Sequence, residues 1–94
     1  MDDFSILASP GSVVLEGEFD LTSVDALRRA FEAAHDDEIV VVMAGVTFMD
    51  SSGVNELIRP LQRGVRIRLK GCPPVVRRVI RITGLDAVLV VDDD

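Results

Sequence analysis

The chain predicts an α/β fold: a mixed, mostly parallel sheet of four to five strands, with three to four helices packed mainly on one face. Three observations carry this expectation. Phe4 to Leu7 and Ser12 to Glu18 read as two strands joined by Ser9-Pro10-Gly11, a turn-forming cluster, so the chain opens on a hairpin. Beyond it, strand-like runs alternate with segments at helical spacing, the pattern of crossover connections. The run Ile39-Val40-Val41-Val42-Met43 is apolar without interruption and mostly β-branched, as expected of a strand buried on both faces of a sheet. Ninety-four residues allow one domain over 1–94, with an adequate core, and 48% hydrophobic content argues for a folded chain.

Along the chain, Thr22 or Ser23 can cap a helix that carries Val24, Leu27, Phe31 and Ala34 on one face, with Asp25 in its first turn, where negative charge is favourable. His35 lies near its end, a position that suits helix-terminus electrostatics better than catalysis. After the strand at 39–43, Val54, Leu57, Ile58 and Leu61 fall at helical spacing and define a second helix from about Ser52 to Leu61. Pro60 costs about 3 kcal/mol in a helix interior, so this helix should end near Arg59–Leu61 or kink. A strand from Val65 to Lys70, a turn at Gly71-Cys72-Pro73-Pro74 and a third helix from about Pro74 to Thr83 come next. Val88 to Val91 reads as a short strand or a packed tail.

Charge is more informative in its distribution than in its net value of −6. Residues 1–58 hold twelve acidic side chains against two basic ones, whereas 59–81 hold eight basic and none acidic. Arg66 and Arg68 alternate with Val65, Ile67 and Leu69, which puts them on the outward face of one strand. Arg77, Arg78 and Arg81 occupy the polar face of a helix whose other face is Val75, Val76, Val79 and Ile80. A solvated, internally balanced surface accounts for this pattern better than a nucleic-acid interface, and Trp and Tyr, the usual stacking platforms, are absent. No apolar run approaches the ~18–20 residues that cross a bilayer, and the acidic N-terminus lacks a basic secretory region, so a cytoplasmic protein without a membrane partner is expected. Cys72 is alone, which rules out an internal disulfide, and no Cys/His cluster points to a metal or cofactor.

Chemistry concentrates at Phe48-Met49-Asp50-Ser51-Ser52-Gly53-Val54, where an apolar strand meets the start of a helix. Unpartnered N–H groups and the helix dipole gather there, and two adjacent hydroxyls on a surface turn form a plausible modification site. Asp and Ser are also ordinary helix caps, and Gly is common at such turns, so capping alone explains the same residues. No Gly-x-Ser-x-Gly elbow accompanies Asp50, Ser51, Ser52 or His35, and Gly64, Lys70 and Gly71 build no phosphate loop. No enzyme is expected.

The same seven residues resemble the phosphorylation motif of bacterial anti-sigma-factor antagonists, the small single-domain members of the STAS family. Val14-Leu15-Glu16-Gly17-Glu18-Phe19-Asp20-Leu21 is similar to that family's second strand, which ends in an acidic residue before the first helix. Val75-Val76-Arg77-Arg78-Val79-Ile80-Arg81-Ile82-Thr83-Gly84-Leu85-Asp86 resembles its late helix and closing turn. The resemblance covers almost the whole chain and implies a STAS-type fold. It implies phosphorylation at Ser52, with Ser51 as the alternative, by an anti-sigma factor that is itself a serine kinase, and reversal by a serine phosphatase. It places Asp20 and Asp50 in the acidic surroundings of the phosphoacceptor, with Ser51, Ser52 and Gly53 at the partner surface. Asn55 and Glu56 are candidates for partner contact, although a solvated helix face explains them equally well. A STAS-like adaptor of a signalling or lipid-transport assembly, not phosphorylated, is the alternative. The second helix is shorter than the family's usual one, which bears on partner choice rather than on the fold.

Overall fold

The computed structural model describes residues 3–92. Its elements are β1 (Phe4–Ser9), β2 (Ser12–Phe19), α1 (Val24–Ala33), β3 (Glu38–Met49), α2 (Ser51–Ile58), β4 (Arg66–Lys70), α3 (Pro74–Ile82) and β5 (Val90–Val91), with short 3-10 turns at Leu21–Ser23, Arg59–Arg63 and Leu85–Ala87. The five strands form one sheet in the order β1-β2-β3-β4-β5. The β1–β2 hairpin is antiparallel, and β2–β3, β3–β4 and β4–β5 are parallel.

This order decides where the helices go. Each parallel crossover, through α1, α2 and α3 in turn, advances one strand in the same direction, and right-handed crossovers that never reverse direction stack every helix on one side of the sheet. Val13 and Leu15 of β2, Ile39, Val41 and Met43 of β3, and Ile67 and Leu69 of β4 point to that side. They bury together with Leu27, Phe31, Val54, Leu57, Val76 and Ile80 from the helices.

The opposite face is bare, and this corrects the expectation for β3. Its apolar run is buried on one face only: Ile39, Val41 and Met43 lie inside, while Val40 and Val42 are half-buried on the open side. The strand also extends well past Met43. Two register shifts against β2, at Val14/Glu16 and Gly17/Glu18, mark bulges in the pairing. Bulges change which face a side chain meets, and past them Val46 and Met49 face the core while Phe48 is exposed. Met49 thus anchors the strand end from which α2 departs.

Other expectations hold, with adjusted ends. Pro60 stops α2 at Ile58 and the chain continues as a 3-10 turn closed by Gly64, whose φ of 83° favours glycine. Arg66 and Arg68 lie on the open face, paired with Glu38 at 3.8 Å, and Arg68 also reaches Asp92 at 3.2 Å, so part of the basic stretch is balanced within the chain. On α3, Val75 departs from the expected buried stripe and is exposed, while Val76 and Ile80 are buried and Val79 is half-buried against them. No helix among the described residues is long and apolar enough to cross a membrane. Cys72 is buried, which pushes its thiol pKa up, with Arg77 opposing.

Candidate functional site

The C-terminal ends of β2 and β3 lie side by side, with Phe19 paired to Met49 and the Asp50 N–H donating to the Phe19 carbonyl at 3.2 Å. The next residue on each strand is an aspartate, and each aspartate caps the helical turn after it.

Asp20 caps the Leu21–Ser23 turn, accepting the Thr22 N–H at 2.9 Å and the Thr22 hydroxyl at 2.6 Å. The Ser23 hydroxyl reciprocates by accepting the Asp20 N–H at 2.9 Å. Ser23 holds the N-cap position of α1, one of the two that sequence spacing offers, but makes no side-chain cap bond to that helix; the side-chain cap is displaced to Asp20, on the turn before it. An extra 3-10 turn between β2 and α1 causes the displacement. The Thr22 side-chain and backbone hydrogen bonds lower the pKa of Asp20. A lowered carboxylate pKa contributes stability that is complete above the ordinary value of about 4 and is lost as pH falls through the folded value. In an acid titration followed by NMR, the Thr22 amide should lose its cap in step with Asp20 protonation, below the titration of an unstructured Asp.

Asp50 caps α2, its Oδ1 accepting the Ser52 N–H at 2.9 Å and the Gly53 N–H at 3.3 Å. The two amides that make this helix start attractive to an anion are thus already occupied. Gly53 is buried beneath the turn, and a Cβ built there meets Met49 Cγ at 2.7 Å. Its role is close approach of helix to strand, not surface contact. Gly53→Ala should cost about 1–3 kcal/mol from overpacking, more than the ~1 kcal/mol of helix propensity it gains, as a lower urea midpoint would report.

The two hydroxyls differ. Ser51 is exposed, whereas Ser52 is half-buried and lines an open groove of about 420 Å³ with Leu21, Val24, Asn55, Glu56, Ile58, Arg59 and Gln62. The Leu21–Ser23 turn forms one wall and α2 the other. Leu21 is 75% exposed and presents an apolar side chain at the groove mouth. Asn55 is exposed on the α2 wall, and Ile58, expected on the core face, is half-buried.

Glu56 corrects the expectation of a solvated helix face: it is 4% exposed. Arg28 of α1 holds its carboxylate in a fork, Nε to Oε1 at 3.0 Å and Nη2 to Oε2 at 3.1 Å. Arg59 adds a third contact, Nε to Oε2 at 3.1 Å. The hydrogen bond that Arg28 donates to Glu56 raises the pKa of Arg28. Its carboxylate is committed within the chain and locks α1 to α2 beneath the groove, which removes Glu56 from the candidates for partner contact. Sequence reasoning missed the Arg28 pairing because it depends on which way α1 packs, whereas the Arg59 pairing is an i,i+3 contact whose spacing is visible in the chain. Among the described residues no group of three or more His, Cys, Asp or Glu could hold a metal ion.

Residues 3–91 match the family model described as Mlab, STAS domain. No curated protein matches the chain. Among solved structures, an anti-sigma factor antagonist from Mycobacterium paratuberculosis superposes with a TM-score of 0.81 at 24% identity, covering 97% of this chain and 86% of that one. The anti-sigma factor antagonist SpoIIAA in its unphosphorylated form gives 0.74 at 24% identity, over 97% of this chain and 89% of that one. The phosphorylated form of the Bacillus cell fate determinant SpoIIAA gives 0.66 at 24% identity, over 97% and 92%. At this identity the superpositions establish the fold.

Proposed function

The chain belongs to the STAS domain family, and from that membership we propose that it is an anti-sigma-factor antagonist switched by phosphorylation at Ser52. Unmodified, it binds an anti-sigma factor with serine kinase activity at the groove beside Ser52 and releases the sigma factor. Phosphorylation ends that binding, and a serine phosphatase restores it. The observation that carries this reading is the place of Ser52: a half-buried hydroxyl on the wall of an open groove, at the meeting of two strand ends whose next residues are both acidic. Ser51 lies outside the groove, which favours Ser52 as the acceptor.

The physical basis is charge at a desolvated contact. A phosphoryl group adds about −1.5 to −2 charge at neutral pH. Asp20 and Asp50 already make the two strand ends beside the groove negative, so a partner fitted to the unmodified shape loses binding to like charge and to the changed shape. Leu21 and Asn55 supply an apolar anchor and a polar contact on opposite walls.

Incubation with ATP and candidate anti-sigma kinases, followed by intact mass and peptide mapping, tests this directly. One phosphoryl group on Ser52 supports the switch. The second reading is a STAS adaptor that is not phosphorylated, in which capping by Asp50 alone explains the serine turn. Stable partner binding with no modification by any cognate kinase favours it.

A further inference from the structure

We infer that a phosphoryl group on Ser52 is drawn down into the groove by Arg59, which bridges it to Glu56, so that the modified protein closes its own docking surface. This rests on Ser52 being the acceptor, but not on which kinase modifies it. The start of α2 offers an anion little: Asp50 already accepts from the Ser52 and Gly53 amides, and Asp20 stands on the neighbouring strand end. The attractive charge lies the other way.

Ser52, Asn55, Glu56 and Arg59 are spaced i, i+3, i+4, i+7 and all line the groove. Long side chains on a helix lean toward its N-terminus, and Arg59 does so, with its Nε 3.1 Å from Glu56 Oε2. Its guanidinium therefore sits near the level of Glu56, about one turn, or ~5.4 Å, from the level of Ser52. Of its nitrogens only Nε has a partner among the described residues, which leaves both terminal nitrogens available to phosphate oxygens. Arg28 answers Asp25 and Glu32 as well as Glu56, whereas Arg59 has Glu56 as its one ion-pair partner among the described residues, so Arg59 is the groove cation that an added anion can share. Arg59 is 54% exposed and bound to Glu56 through Nε alone, whereas Arg28 is held in a two-point fork. The bridged phosphate fills the space between Asn55 and Leu21 that a partner side chain needs.

The test installs phosphoserine at position 52 during expression of the full chain, by an expanded genetic code, so that no kinase is required. The second ionisation of the phosphate is followed by 31P NMR against pH. A guanidinium partner favours the dianion, so the pKa of the parent should lie below that of Arg59→Ala by about 0.5 or more, with Arg59→Lys between them. The Arg59 Nε resonance of the parent should also shift on phosphorylation. Arg59→Gln serves if the alanine variant does not fold. Coincident titration curves for parent and variant, with an unmoved Arg59 resonance, would overturn the bridge. Because the group is installed synthetically, that failure is separate from failure of a kinase to modify Ser52, which would sink the switch alone.

Discussion

Ser52→Ala will bind the anti-sigma kinase as tightly as the unmodified protein and stay bound in the presence of ATP, while the phosphorylated parent will bind it about 10²–10³-fold more weakly. That ratio corresponds to a loss of about 3–4 kcal/mol, the scale expected when added like charge meets a surface fitted to the unmodified shape. Ser52→Asp carries one charge on a shorter arm, so its loss should be about 10–10²-fold. Titration calorimetry with the purified kinase, with and without ATP, gives all three values. Equal affinity of Ser52→Ala and Ser52→Asp would exclude charge at this position as the control. Folding should not change in parallel: Ser52 lies in the first turn of α2, its backbone N–H is held by Asp50, and its hydroxyl lines an open groove. Urea midpoints of the two variants should therefore stay close to that of the parent.

The second large effect falls on stability. Glu56 is, among the described residues, the one buried charged side chain, and its carboxylate accepts three arginine hydrogen bonds that join α1, α2 and the turn after α2. Glu56→Ala leaves a void at a buried position and removes all three, at a cost of about 2–3 kcal/mol. The cost stays below that of a stranded buried ion because the two arginines, 39% and 54% exposed, can turn to water. Glu56→Gln keeps the shape and loses the charge, which should cost about 1 kcal/mol. In a domain of this length, each kcal/mol lowers the melting temperature by roughly 4–8 °C. If Glu56→Ala and Glu56→Gln melted together with the parent, the arginine fork would be a surface pair of no energetic weight. Because the Arg28 fork joins the two helices that bear the groove walls, Glu56→Ala should also weaken kinase binding even with Ser52 intact.

Much of the architecture is legible in the chain itself because it is local. Ser9-Pro10-Gly11 makes the hairpin whatever surrounds it, Pro60 ends α2 by removing an N–H and filling the preceding turn, and apolar spacing marks α1 and α3. Asp50-Ser51-Ser52-Gly53 announces a strand-to-helix junction through capping chemistry that needs no tertiary contact. The same logic reaches its limit at Thr22 and Ser23. Ser23 does hold the N-cap position of α1, but the side-chain cap belongs to Asp20 on an added 3-10 turn that apolar spacing does not announce.

What tertiary structure alone decided is which faces meet. The five apolar residues 39–43 suit a strand covered on both sides, yet the unreversed strand order places α1, α2 and α3 together and leaves Val40 and Val42 on the bare face. A helical residue four positions past Ser52 reads as solvated until α1 brings Arg28, twenty-eight residues earlier, against it. Hydrophobic period and capping are encoded within a turn or two of chain, so the elements and the serine turn are written in the residues. The groove, the Glu56 lock and the adjacency of Asp20 and Asp50 depend on contacts between distant segments, and packing of the whole chain is what brings them together.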